Sequence, residues 1–202
     1  MTVAVAAFDF DGTLTTRDTV WPFLRSAAGD PAIWRGLPLA APALVGWMGG
    51  LLGNTTTKEW LYRTYLRGRH VDDVVEAGRR FARETVPPMI RSEALARLRW
   101  HQARGDRCLV VTASPELYVE PWANALGLET IGSRLQVDRF GHLTGRHFGP
   151  ACDGAEKVRR LRAVLGVDVY DVYAYGDSRG DRELLAMAQH PYYRVMPAPG
   201  PA

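Results

Sequence analysis

The chain reads as an α/β protein, a Rossmann-like parallel sheet (the core) with an inserted helical cap domain, and three observations lead there. Largely apolar runs at Val3 to Phe8, Arg107 to Val111 and Val167 to Tyr175 have the length of buried strands. Helical patterns at Pro115 to Leu126 and Ala155 to Leu165, with another after Ser178, alternate with them, as a parallel sheet requires. The stretch from about Arg17 to Val86 breaks that alternation: it is helical in pattern at Thr19 to Ala27, Thr57 to Leu66 and Val71 to Thr85, with no convincing strand. The expected division is therefore a core of residues 1–16 and 87–202 and a cap of residues 17–86.

The first strand delivers Phe8-Asp9-Phe10-Asp11-Gly12-Thr13-Leu14-Thr15 at its carboxyl end, where ligands bind in open parallel sheets. Two carboxylates two residues apart can hold a divalent cation and share nucleophilic and acid/base work. In that reading Asp9 attacks a phosphoryl group to give an aspartyl-phosphate, and Asp11 protonates the leaving alcohol and then activates water. Gly12 lets the chain turn without a Cβ penalty. An Asp-Gly turn after a strand is also ordinary punctuation, so the pair alone leaves both readings open.

Beyond the cap, Pro87 and Pro88 suit the start of a core helix that continues through Ile90, Ala94, Leu95, Leu98 and Trp100. The turn Arg104-Gly105-Asp106 precedes the second strand, which ends in Thr112-Ala113-Ser114-Pro115 ahead of a helix N-terminus able to attract an anion. Thr112 is the expected phosphate-binding hydroxyl, with the Ala113 N–H beside it. Ser114 reads either as a further phosphate contact or as the N-cap of the following helix, since Pro115 after it offers no N–H. The segment from Ser133 to Gly145 alternates around a glycine-containing turn and predicts a hairpin.

Asp153 and Glu156 look like an N-cap and its N3 partner, which puts Lys157 in the first turn of a helix. A cation there opposes the macrodipole by ~0.3–1 kcal/mol, so an anionic neighbour is expected. The third strand ends in Tyr175-Gly176-Asp177-Ser178-Arg179-Gly180-Asp181. Asp177 could ligate a divalent cation there, whereas Asp181 could complete a capping box with Ser178 as well as orient the metal's water shell. Magnesium prefers a few carboxylates plus water and substrate oxygen, and Asp9, the Asp11 backbone carbonyl and Asp177 could supply them.

Taken together, DFDGTLT, TASPE, the GHLTG hairpin, GAEKVRRL and YGDSRGDRELL resemble, in order, the motifs of the haloacid dehalogenase-like phosphohydrolases. The likeness spans nearly the whole chain and is greatest to subfamily IB, the phosphoserine-phosphatase-like branch, whose helical cap (type C1) lies between the first two motifs. Some small bacterial members of that subfamily are phosphatidylglycerophosphatases. The resemblance implies Mg²⁺ as cofactor, an aspartyl-phosphate intermediate, and roles for Asp9, Asp11, Thr112, Lys157 and Asp177 as nucleophile, acid/base, phosphate-binding hydroxyl, phosphate clamp and metal ligand. Asp18 stands near the place where phosphoserine phosphatases usually carry a glutamate that contacts substrate. Asp18 is shorter than that glutamate, and Ala113 and Ser114 stand in place of two usual glycines, so the sequence departs from the pattern of true phosphoserine specificity. Transfer of the phosphoryl group to another alcohol, or a non-catalytic phospholigand-binding module, are the alternatives the same residues permit.

With 202 residues, 47% hydrophobic and 23% charged, the chain has an ordinary globular balance. Its formal net charge of +3 suits an anionic phosphomonoester, and only Lys58 and Lys157 of the 25 basic residues are lysines. No basic run interleaved with aromatics points to nucleic acid, and Arg159, Arg160 and Arg162 read as a solvated helix face. Cys108 and Cys152 lack CxxC spacing and no secretory leader is evident, so a cytoplasmic protein with free thiols is expected. From Gly36 to Thr57 there is no charged residue. Buried packing within the cap, contact with a membrane surface or acyl chain, and a membrane span are the readings of that segment, the last opposed by Pro38 and Pro42.

Overall fold

The computed structural model describes residues 3–166 and 170–198. Strand β1 (Val3–Phe8) lies at the centre of a parallel five-stranded sheet. On one side it pairs with β2 (Arg107–Pro115), which pairs in turn with β3 (Glu129–Ser133). On the other side stand β6 (Tyr170–Gly176) and the edge strand β7 (His190–Tyr193). The expected start of the third strand, at Val167, lies outside the described residues. Two edge strands carry no clear sequence signal: β3 is short, and β7 contains Pro191, which suits an edge because proline cannot donate to a central ladder.

Side chains alternate across β1, so Val5 and Ala7 enter one apolar layer and Ala6 and Phe8 the other. Helices α7 (Ala155–Leu165) and α8 (Arg182–Met187) close the first layer with Leu161, Leu165, Leu184 and Leu185. Against the second pack α5 (Ser92–Ala103) and α6 (Glu116–Asn124), through residues such as Leu98, Tyr118 and Trp122.

Between β1 and α5 are inserted α1 (Val20–Ala28), α2 (Asp30–Met48), α3 (Asn54–Tyr65) and α4 (Val71–Glu84). The insertion shares the second apolar layer: the Phe23 and Phe81 rings lie 4.6 and 5.3 Å from that of Tyr118 on α6. Helix α2 runs through the uncharged segment, where the sequence pattern predicts no helix, with Pro38 and Pro42 inside it. Both prolines are exposed, so their rings stay out of the packed side of the helix, which Ile33, Ala40 and Ala43 anchor. The Trp60 indole of α3 donates to the Leu39 carbonyl at 2.9 Å, tying the two helices. No helix among the described residues is long and apolar enough to cross a membrane.

The expected hairpin forms from β4 (Leu135–Val137) and β5 (Leu143–His147). It docks on the insertion, with Gly68 N–H donating to Leu143 O and Val71 N–H to Gly141 O, both at 2.8 Å. Gly145 makes this approach possible: its φ is +79°, and a Cβ there would lie 2.5 Å from the Arg63 Cα.

Candidate active site

Strand β1 ends by donating the Asp9 N–H to the Tyr175 carbonyl at 2.9 Å, which sets Asp9 at the carboxyl edge of the sheet beside the end of β6. The chain then turns sharply through residues 10–14. Gly12 is required twice there, by its φ of +79° and because a Cβ would meet an Asp177 carboxylate oxygen at 2.5 Å. The first and fourth sequence motifs are thus held in van der Waals contact.

Asp9 is buried, and Lys157 from the first turn of α7 reaches it at 2.5 Å while also contacting Asp181 Oδ1 at 2.6 Å. The cation at a helix start thereby finds the anionic neighbours its position demands. Burial pushes the Asp9 carboxyl up to about 7, against the pull of Lys157 and with a further push from Asp181. Burial alone would lower Lys157, but Asp9 and Asp181 outweigh it and hold the ammonium above its ordinary range. Half-buried Asp177 is raised by burial and by Asp181, and it accepts a 3.3 Å bond from the Thr13 hydroxyl.

Carboxylate oxygens of Asp9, Asp177 and Asp181 lie within 4.8 Å of one another. The set is all hard oxygen, with three carboxylates against one ammonium, which suits a magnesium ion. Both Asp181 oxygens are already engaged, one by Lys157 and the other by the Ser178 N–H and hydroxyl at 2.9 and 2.8 Å. Its capping box with Ser178 is formed, so Asp181 does both structural and electrostatic work.

Asp11 turns away from this cluster. Its Oδ1 accepts from the Thr19 N–H and hydroxyl at 2.8 and 2.6 Å, and its Oδ2 faces the Ser114 hydroxyl and the Lys58 ammonium, the latter at 3.4 Å. Ser114 is therefore not a helix cap. Strand β2 continues through Pro115, α6 begins at Glu116 without a side-chain cap, and the buried Ser114 hydroxyl is spent on Asp11 and Lys58. Thr112 accepts from the Ser114 N–H at 3.0 Å, which leaves its own O–H to donate. Asp18 is half exposed, accepts from the Val20 N–H at 2.8 Å and lies 3.5 Å from Lys58.

Asp153 does not cap α7 either. Gly154, at φ +56°, holds the cap position, and the Asp153 carboxylate instead accepts from the Gly154 N–H and from the Thr55 hydroxyl of α3. The carboxylate of Glu156 goes to Arg159 and Arg160, not to the helix end. Arg160 is not solvated as expected, because its guanidinium also donates to the Gly132 and Pro150 carbonyls.

A cavity of about 860 Å³ gathers Asp9, Asp11, Asp18, Thr112, Ala113, Lys157 and Asp177 on its walls. Ser114 and Asp181 stand behind that lining, each touching a residue in it. The insertion contributes Trp47, Leu52 and Lys58, and Arg17, Arg91 and Arg179 complete the rim. Lys58 is the functional candidate that sequence reasoning missed. Being buried on α3, it is held above its ordinary range by Asp11 and Asp18 despite desolvation. Its signal was present, since it is one of only two lysines in an arginine-rich chain, and both lysines converge on the same cavity.

Known proteins resemble this chain in sequence and in fold. The chain is 39% identical over 192 residues to Protein CicA of Caulobacter vibrioides, covering 95% of this chain and 86% of that one. It is 26% identical over 213 residues to a histidinol-phosphatase of Neisseria meningitidis, covering 93% and 88% respectively. A phosphoserine phosphatase solved as a phospho-aspartyl intermediate analogue superposes with a TM-score of 0.60 at 21% identity, over 93% of this chain and 84% of that one, a likeness of fold. The family described as haloacid dehalogenase-like hydrolase matches residues 6–186, and with the sheet order, the Asp9 turn and the Lys157 contact in place, the chain belongs to that family of enzymes.

Proposed function

We propose that this hydrolase is a Mg²⁺-dependent phosphomonoesterase that works through an aspartyl-phosphate on Asp9. The observation that carries the reading is Lys157, buried between Asp9 and Asp181 at the floor of a cavity whose wall includes Asp177. Asp9, Asp177 and the Asp11 backbone carbonyl would hold the ion, with Asp181 orienting Lys157 and Ser178 behind them. When bound, the ion would supply charge neutralisation for the phosphate and would keep Asp9 ionised near neutral pH. The phosphatase names of relatives such as the Neisseria histidinol-phosphatase support the class of reaction.

An Asp9 oxygen attacks phosphorus while the P–O bond to the alcohol breaks, and the Asp11 carboxylic acid gives its proton to the departing alkoxide. Water then attacks phosphorus, Asp11 takes its proton, and the Asp9–phosphorus bond breaks to release inorganic phosphate. Lys157 and the Thr112 hydroxyl hold the non-bridging oxygens throughout. The domain made by residues 17–86 covers the site, excludes water and selects the alcohol of a small-molecule or lipid ester. Free buried thiols suit a reducing cytoplasm, with membrane contact through residues 36–57.

Asp9→Asn is expected to abolish Mg²⁺-dependent phosphate release from an aryl phosphate, a loss of at least about a thousandfold. Near wild-type release would rule out the phosphoenzyme. Added alcohols and a search for transfer products separate hydrolysis from phosphotransfer.

A further inference from the structure

On α2 the side facing away from the protein is apolar, the reverse of a usual surface helix. Trp34, Pro38, Val45 and Met48 follow one another at steps of four, seven and three residues, which places them on one face, and Trp34, Val45 and Met48 are 70, 67 and 80% exposed. The loop after the helix extends this crest with Leu51, 85% exposed. Contiguous exposed apolar surface of this kind marks a contact with something. Three further observations identify the contact.

First, the crest runs into the mouth of the Asp9 cavity: Trp47, Gly50 and Leu52, from the end of α2 and its loop, line the cavity that holds Asp9 and Lys157. A second copy of the chain or a rigid protein partner seated there would cover the opening. Second, charge favours an anionic surface. No Asp or Glu occurs from Pro31 to Thr57, and Arg17 and Arg179 stand on the same rim with no acidic partner among the described residues. Third, exposed tryptophans are favoured at a membrane–water interface, and Trp34 and Trp47, toward the two ends of α2, are 70 and 51% exposed. We infer that the outward face of α2 and its loop dock on an anionic bilayer, bringing a phosphomonoester carried by a lipid to the Asp9 cavity. The chemistry of this inference rests on the phosphomonoesterase reading; the surface does not.

The test uses the full chain at low and moderate salt with vesicles of phosphatidylcholine, alone or containing phosphatidylglycerol. The wild type is expected to sediment with the anionic vesicles and to lose binding as salt rises. The triple variant Trp34→Ser/Val45→Ser/Met48→Ser, none of whose positions lines the cavity, should bind about tenfold or more weakly while keeping aryl phosphate hydrolysis. If it does not fold, Leu51→Asp alone should show the same direction. Phosphatidic acid in vesicles should be hydrolysed faster than glycerol phosphate in solution, and the triple variant should lose that preference. Absence of vesicle binding by an enzyme active on aryl phosphate overturns the docking surface. Self-association abolished by the triple variant, without vesicle binding, overturns it in favour of a subunit contact. A protein inert toward aryl phosphate yet bound to vesicles refutes the phosphomonoesterase and leaves the surface standing.

Discussion

Lys58 brings a positive charge from the insertion to within 3.4 Å of Asp11 and 3.5 Å of Asp18, inside the cavity that the proposed reaction assigns to a phosphate dianion. Replacing it by methionine keeps the stem packed but removes a charge-assisted contact worth about 2 kcal/mol. Lys58→Met is therefore expected to lower kcat/KM on an aryl phosphate by roughly thirtyfold, with Lys58→Arg only partly restoring it because a planar fork replaces a compact ammonium. Steady-state kinetics decides, and an unchanged kcat/KM would remove Lys58 from the site. Asp9, Asp11, Lys157 and Asp177 are legible in the amino-acid sequence because each stands at a strand end or in a first helical turn, where local pattern and chemistry coincide. Lys58 sits mid-helix in the insertion, and nothing within its own helix distinguishes a buried lysine from a solvated one. Ser114 misleads for a related reason: Ser-Pro before a helix is a strong local cap signal, and only the distant Asp11 diverts its hydroxyl.

The longer elements show the same division between local and distant causes. Strands β1 and β2 follow from their apolar runs and helix α4 from its hydrophobic period, whereas α2 does not, because two prolines mask a helix whose prolines happen to face water. At the last turn of α5, His101 is fully buried, with Nδ1 2.7 Å from Asp106 and Nε2 2.8 Å from the Tyr175 hydroxyl. Burial pushes this imidazole down to about 4, from an ordinary 6.5, despite the Asp106 contact. The unfolded chain therefore binds the extra proton between about pH 6.5 and 4, and the folded state does not. The stabilisation from neutral His101 is complete above about pH 6.5 and is lost progressively on acidification toward pH 4, on the order of 3 kcal/mol in all. Urea unfolding of the wild type and of His101→Gln at pH 7 and pH 5 measures it. The variant should be less stable at pH 7 but lose less on acidification. Equal losses would refute the assignment.

The site assembles only when β1, β6, α7 and the insertion come together, and its charge does not balance: Asp9, Asp177 and Asp181 face the single ammonium of Lys157. The fold thus stores like-charge repulsion that a bound cation would relieve, so metal binding at the proposed site would be linked to global stability. At a Mg²⁺ concentration about a hundredfold above its Kd, linkage adds about 2.7 kcal/mol, which for a chain of this length raises Tm by roughly 5–10 °C. Asp177→Asn separates the two effects. It removes a proposed ligand, so Mg²⁺ should no longer raise Tm. It also removes one of the crowded negative charges, so in chelator the variant should melt at or above the wild type even though a buried polar contact with Thr13 is altered. Asp9→Asn should likewise lose the Mg²⁺ response while Lys157 keeps its 2.6 Å contact with Asp181. Calorimetry in chelator and in Mg²⁺ reads all three proteins. A variant Asp177→Asn that melts below the wild type in chelator contradicts the repulsion, and one that still gains the full Mg²⁺ increment places the ion elsewhere in the fold.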